Sequence, residues 1–287
     1  MSRDRFDLHT HSTASDGTLP PREVVALAAE RGLGGIALTD HDTTDGIAEA
    51  QGMAAALGIR CIAGVELSCT AADSQQVHLL GYFIDPKDPG LAAMFAEMRT
   101  RRVERASAIV DRVQELTGLL TLDDVLEESA GAPPGRPHIA RAMVRHGIIN
   151  DVDAAFQPDW FGAGGRAWVQ RDGIAVEDGI AAIHAAGGVA VHAHPGARVR
   201  AGLPEGIVRA AAAAGLDGIE VDHPSHDGDI VRRCAEIAIE LGLVQTAGSD
   251  DHGTGSEGSR MGCRTVPARI VDALAARAAV YRERTSR

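Results

Sequence analysis

The sequence predicts an α/β fold in which strands and helices alternate and close into a barrel interrupted by a helical insertion. Two observations lead there. Seven short apolar runs read as strands, with amphipathic or alanine-rich helical stretches between most of them, as expected where crossover helices join parallel strands that are buried on both faces. Histidines and carboxylates gather where those runs begin or end, and the carboxyl face of a barrel is where such folds carry their chemistry.

The first strand is Arg5 to His11. A helix follows, opened by Pro20-Pro21, where the fixed proline φ suits a first helical turn, and closed near Gly32. Gly35 to Asp40 is the second strand, and the helix Asp45 to Leu57 stops at Gly58. Strands Arg60 to Ser68 and Val77 to Ile84 come next. The rhythm then breaks at Pro86-Lys-Asp-Pro-Gly90, and a long charged helical segment, Leu91 to Leu116, follows without a strand. Two further helical pieces, Thr121 to Ser129 and Pro137 to His146, precede a glycine-rich loop around Phe161-Gly-Ala-Gly-Gly165. Strands resume at Gly188 to Ala193, Gly218 to Asp222 and Leu243 to Gly248, with helices near 174–186, 204–214 and 227–241. The expected organisation is a barrel from residues 1–85 and 172–287, with 86–171 as a helical insertion subdomain contributing to substrate binding.

With 287 residues and 45% hydrophobic composition, the chain has ample core for one interrupted barrel. No apolar run reaches a membrane span, and Met1-Ser-Arg-Asp-Arg5 passes directly into a strand, so the expectation is a soluble, cytoplasmic protein with no membrane partner. Cys61, Cys69, Cys234 and Cys263 lack C-x-x-C spacing and read as free thiols. The net charge of -12 argues against a protein that coats nucleic acid, duplex DNA included, because backbone affinity comes from cations neutralising phosphates.

The candidate metal ligands are His9, His11, Asp16, His41, Glu66, His78, His194, Asp250 and His252. His9 and His11 are two apart in a strand, so their imidazoles share a face and can reach one cation. Asp16 follows in a Ser-Asp-Gly turn. His41 ends the second strand in Thr39-Asp-His-Asp42, where Asp40 or Asp42 could orient an imidazole. Glu66 sits in the apolar run Ala63-Gly-Val-Glu-Leu67, and burying it unpaired would be costly, so a cation partner explains it. His78 opens Val77-His-Leu-Leu-Gly81, His192 and His194 form a second H-x-H, and Gly248-Ser-Asp-Asp-His252 supplies a carboxylate and an imidazole. Asp251 competes with Asp250 there. His138, His146, His184 and His226 read as helix or turn residues, His146 and His184 on the solvated surface. Three divalent ions on these ligands would bring six positive charges against three carboxylates, leaving a cationic pocket that draws phosphate into an acidic protein.

These segments together resemble the PHP superfamily, named for bacterial polymerase and histidinol phosphatase. The motifs are Asp7-Leu-His-Thr-His-Ser12, Thr39-Asp-His41, Gly64-Val-Glu66, His192-Ala-His-Pro195 and Gly248-Ser-Asp-Asp-His252, spread over nearly the full chain. Ser15-Asp-Gly17, His78-Leu-Leu-Gly-Tyr-Phe-Ile84 and Gly135-Arg-Pro-His138 are similar to its group of bacterial 3′,5′-nucleotide bisphosphate phosphatases and 5′→3′ oligoribonucleases. The resemblance implies a distorted seven-stranded (β/α) barrel holding two to three divalent ions, Mn2+ first, with Mg2+, Zn2+ or Fe2+ as alternatives. It favours His194 over His192 as ligand. It allots His9, His11, Glu66 and Asp250 to one ion, Glu66, His78 and His194 to a second, and Asp16, His41 and His252 to a third. Asp251 stands where the family has an aromatic residue.

The expected activity is hydrolysis of the 3′-phosphate of a 3′,5′-bisphosphonucleotide, with short RNA as a further partner. Metal-activated water would attack phosphorus, with Glu66 and Asp250 as catalytic carboxylates. His223 is a candidate both to bind substrate and to protonate the leaving ribose oxygen. Arg136, by resemblance, and Arg198, after His194-Pro-Gly196, are candidates to grip a second phosphate. The alternatives are a histidinol-phosphate or general phosphomonoesterase, and a PHP barrel kept as a non-catalytic interaction module.

Overall fold

The computed structural model describes residues 4–129, 134–162, 164–170, 173–197, 203–253 and 258–285. The chain divides into two compact units, Met1–Ala93 with Gly173–Arg287, and Met94–Asp172. The first unit opens with β1 (Arg5–Thr10), α1 (Pro21–Glu30), β2 (Gly35–Leu38), α2 (Ile47–Leu57), β3 (Arg60–Thr70) and β4 (Gln76–Tyr82). Helix α3 (Pro89–Thr117) starts in that unit and runs into the second, which continues through α4 (Leu122–Ser129), α5 (Arg136–Arg145) and α6 (Val152–Ala155). The first unit resumes with β5 (Ile174–Ala175), α7 (Val176–Ala185), β6 (Val189–His192), α8 (Glu205–Ala213) and β7 (Gly218–Asp222). It finishes with α9 (Gly228–Leu241), β8 (Val244–Ala247), β9 (Val266–Pro267) and α10 (Ala268–Thr285).

The seven expected strands are β1, β2, β3, β4, β6, β7 and β8, in the order β8-β7-β6-β4-β3-β2-β1, with the two-residue strand β9 added beside β1 and β5 beside β3. A parallel bridge between Thr10 and Asp251, with His11 N donating to Asp251 O at 2.8 Å, joins the segment after β8 back to β1 and closes the ring. The result is the distorted α/β barrel that the sequence predicts. Among the seven, one strand departs from the parallel pattern: β4 runs antiparallel to both β3 and β6, as the added β9 does to β1. The link from Thr70 to Gln76 is far too short for a crossover helix, so the chain returns as a hairpin.

Local chemistry sets the helix ends. Helix α2 ends on Gly58 at φ 65, and α9 ends on Gly242 at φ 67, both left-handed positions that cost glycine nothing. Asp227 opens α9 by accepting from the backbone of Asp229 and Ile230. Helix α10, which the apolar pattern does not announce, buries Val271, Leu274 and Ala278 in one cluster with Leu8, Leu80, Tyr82 and Val191. No helix of the described residues is long and apolar enough to cross a membrane.

The second unit has its own core, with Ile109, Val113, Leu120, Ile139, Met143 and Trp160 among its buried members. Its glycine-rich loop needs Gly165, because a Cβ there would lie 2.5 Å from both Pro158 O and Trp160 O.

Candidate metal centre

The parallel strands deliver side chains to one mouth of the first unit. His9 lies in β1 and His11 directly after it; His41 follows β2, His194 follows β6, His223 follows β7, and Asp250 and His252 follow β8. Glu66 projects from β3. Because β4 is antiparallel, its beginning is what reaches the same mouth, and His78 lies there, paired with Ser68 of β3. A register irregularity between Asp7 and Thr10 re-aims the end of β1. Two members carry positive φ, His194 at 29° and Asp250 at 52°, a backbone strain typical of functional sites.

Glu66 is the hub. Its Oε2 lies 3.2 Å from His9 Nε2, 3.2 Å from His11 Nε2 and 3.2 Å from His41 Nδ1. Its Oε1 lies 2.6 Å from His78 Nδ1 and 2.9 Å from His194 Nε2. Five imidazoles therefore meet one buried carboxylate. Asp250 Oδ1 joins them, 3.2 Å from His11 Nε2 and 3.4 Å from His9 Nε2, while its Oδ2 lies 3.4 Å from His223 Nε2. Asp16 lies farther out, with Oδ1 3.3 Å from His252 Nε2 and 3.7 Å from His11 Nδ1 and Oδ2 3.8 Å from His41 Nε2. It is the most exposed of the set.

Three of the groupings that could hold a cation contain only residues singled out from the sequence: His9, His11, Glu66 and Asp250; His11, Asp16, His41 and His252; and His41, Glu66 and His78. His194 meets the third through Glu66 Oε1. His192 enters none of these groupings; it is 3% exposed and its Nδ1 has no hydrogen-bond partner.

The neighbouring acids have other duties. Asp251 is buried and accepts from Ser259 Oγ at 2.8 Å, Met261 N at 3.0 Å and Gly253 N at 3.1 Å, so it ties down its own loop while Asp250 faces the histidines. Asp40 accepts from Ser12 N, Ser12 Oγ and Ser15 Oγ, each at 2.7 Å, and so holds the turn that carries Asp16. Asp42 accepts from Ser68 N at 2.8 Å. Beyond the ligand set itself, one carboxylate that engages a ligand imidazole is not singled out from the sequence. Glu220, wholly buried in β7, has its oxygens 3.2 and 3.3 Å from His9 Nδ1. Its signal is the one that marks Glu66, an acid inside an apolar strand.

His184, outside the site, is no solvated surface residue. It pairs with Asp217 at 2.8 Å and stacks on Tyr281 with ring centroids 3.8 Å apart. Arg136 opens α5 in the second unit, its guanidinium carbon 5.7 Å from the centroid of the Phe156 ring. Arg198 lies outside the described residues.

The electrostatics ask for a cation. Burial opposes ionisation of Glu66, yet His41, His78 and His9 outweigh it and hold the carboxyl well below its usual range. Asp250 is likewise lowered despite burial, chiefly by His9 and His11. Burial works against charge on His11, but Asp250 and Glu66 hold a proton there up to about 9. His78 goes the other way, pushed by burial down to about 4. Ring nitrogens of His11, His41 and His223 are buried without a hydrogen bond, although carboxylate oxygens stand a few ångströms away. Imidazole nitrogens and carboxylates converging in this way form a donor set suited to divalent ions.

The PHP domain family matches residues 7–133. A 3′,5′-nucleoside bisphosphate phosphatase from Chromobacterium violaceum is 38% identical over 261 residues, covering 90% of each chain. A 5′-3′ exoribonuclease from Haemophilus influenzae is 35% identical over 86% of this chain and 90% of its own. A phosphoribosyl 1,2-cyclic phosphate 1,2-diphosphodiesterase from Eggerthella lenta is 33% identical over 91% of this chain and 99% of its own. Among solved structures, one from Bifidobacterium adolescentis, described as a candidate metal-dependent phosphoesterase, superposes with a TM-score of 0.80 at 34% identity, over 95% of this chain and 96% of that one.

Proposed function

This chain belongs to the PHP family of phosphoesterases, and from that membership we propose that it removes the 3′-phosphate of 3′,5′-bisphosphonucleotides, with short RNA cut from its 5′ end as a second substrate. The observation that carries the reading is the meeting of five imidazoles on Glu66 with Asp250 alongside.

Two to three divalent ions, Mn2+ first among them, would be held by His9, His11, Glu66 and Asp250, by Glu66, His78 and His194, and by Asp16, His41 and His252. When bound, they supply Lewis-acid chemistry, neutralising phosphoryl oxygens and favouring ionisation of water near neutral pH. Glu66 and Asp250 would hold those ions and offset part of their charge. His223 carries a proton to the departing ribose oxygen from Nε2, which has no hydrogen-bond partner, while Ser225 Oγ, 2.6 Å from Nδ1, steadies the ring. Arg136 grips the second phosphate through its planar fork, which makes two phosphates better than one. Arg198 is the second candidate for that grip.

The Eggerthella relative's name supports a second reading, in which the same centre opens a phosphodiester. A comparison on adenosine 3′,5′-bisphosphate, adenosine 3′-monophosphate and a cyclic phosphodiester separates the two. With Mn2+ present, the bisphosphate should turn over best, and Arg136→Ala should lose that preference alone. Preference for the cyclic diester, or equal losses on all three, contradicts the proposal.

A further inference from the structure

Glu220 lies at the centre of β7, wholly buried, and its carboxylate meets His9 of β1 and the segment just past β6. The backbone N–H of His194 donates to Oε2 at 2.9 Å. The imidazole of His9 lies with Nδ1 3.2 Å from Oε1 and 3.3 Å from Oε2, while its other nitrogen, Nε2, stands 3.2 Å from Glu66 Oε2 and 3.4 Å from Asp250 Oδ1.

A neutral imidazole carries one N–H and one lone pair, and an ionised carboxylate only accepts. A His9 that ligates a cation through Nε2 keeps its one proton on Nδ1, where Glu220 is placed to accept it. Resting on the metal-dependent reading above, we infer that Glu220 is a positioning residue: it fixes His9 as the Nδ1–H form, presenting Nε2 as a cation ligand, and pins the strained main chain of His194. His194 needs such an anchor because its φ of 29° lies in the left-handed region.

His78 shows the contrast. It turns Nδ1 to Glu66 Oε1 at 2.6 Å and meets the side-chain amide of Gln76 through Nε2 at 2.8 Å. An amide can donate or accept and so tolerates either form of the ring. A carboxylate tolerates one.

The variant Glu220→Gln keeps the shape and reverses this selection. The His194 N–H is always a donor, so the amide oxygen turns to it and the amide NH2 faces His9 Nδ1. A donor in that place favours the Nε2–H form, whose proton points at Glu66 and Asp250 and must leave before a cation binds.

The test titrates full-length wild type and Glu220→Gln with Mn2+, following free ion by electron paramagnetic resonance, and records 15N-edited proton spectra of the Zn2+-loaded proteins. Wild type should show a hydrogen-bonded His9 Nδ1 proton. The variant should bind its tightest Mn2+ about 10- to 100-fold more weakly and lose or shift that resonance, with the metal-free melting temperature little changed. Equal affinity with an unmoved resonance overturns the inference. So does a wild-type spectrum with the His9 proton on Nε2, which needs no variant. Failure of wild type to take up either ion overturns the metal reading together with this one, whereas wild-type uptake with an indifferent variant overturns this one alone.

Discussion

Asp250 and Asp251 are consecutive in sequence and face opposite ways: Asp250 Oδ1 lies 3.2 Å from His11 Nε2, while Asp251 accepts from Ser259 Oγ at 2.8 Å and Met261 N at 3.0 Å. The two acids should separate in experiment. Asp250→Asn should lower kcat about 100-fold or more with little change in melting, because it removes a donor from the proposed centre. Asp251→Ala should cost about 1–3 kcal/mol of stability by stranding buried donors. Thermal melts beside Mn2+-dependent turnover decide it, and a reversed pattern would mean that Asp251 is the working carboxylate.

Proton competition gives the centre a pH dependence of known sign. Burial opposes charge on His11, but Asp250 and Glu66 hold its proton up to about 9 in the metal-free protein. An imidazole ligates only when neutral, so metal must displace that proton at pH 7, and affinity should rise with pH until about 9. Calorimetry in buffers of different ionisation enthalpy should find proton release on Mn2+ binding at pH 7 that diminishes above about pH 9, where the His11 share is lost. Metal binding at pH 7 with no proton release would contradict the protonation state described for His11.

Gly248 bears on the same cluster through space alone. A Cβ there would sit 2.2 Å from His9 Cβ and 2.7 Å from His9 N, so the β1 backbone must move. Gly248→Ala should destabilise the protein by about 1–3 kcal/mol and weaken Mn2+ binding. Wild-type melting together with wild-type affinity would show that β1 yields without harm to the site.

Asp40 tests how the Asp16 turn is held. With Ser12 N, Ser12 Oγ and Ser15 Oγ all at 2.7 Å, Asp40→Ala should loosen that turn and selectively empty the group formed by Asp16, His41 and His252. The Mn2+ stoichiometry should fall by one ion. Asp40→Asn, which keeps an accepting oxygen, should restore most of it. Undiminished stoichiometry in Asp40→Ala would detach the turn from the centre.

Much of this arrangement is legible from residue chemistry. His9 and His11 are read from the two-residue period of a strand, and Glu66 from the cost of an acid in an apolar run. Glu220 carries the same signal in Gly218-Ile-Glu-Val-Asp222, but there the sequence reading settles on His223, directly after the strand, and passes over the acid. The choice between Asp250 and Asp251 turns on a left-handed backbone angle, φ 52° at Asp250, that neither spacing nor composition encodes. The reversal of β4 is written in the shortness of the Thr70–Gln76 link, a clue about connection length that hydrophobic periodicity does not contain. Helix α10 escapes the pattern because its alanines and arginines give no strong apolar stripe, although Val271 and Leu274 are buried.

The central claim is that distant histidines and acids form one cation-binding centre organised by Glu66. Elemental analysis of wild type and Glu66→Gln, each equilibrated with Mn2+ and freed of excess ion, tests it most directly. Wild type should retain two to three ions per chain, and Glu66→Gln, which removes the oxygen charge that five imidazoles share, should retain at most one. A wild-type protein that retains none, or a variant that retains as many as wild type, would contradict the account.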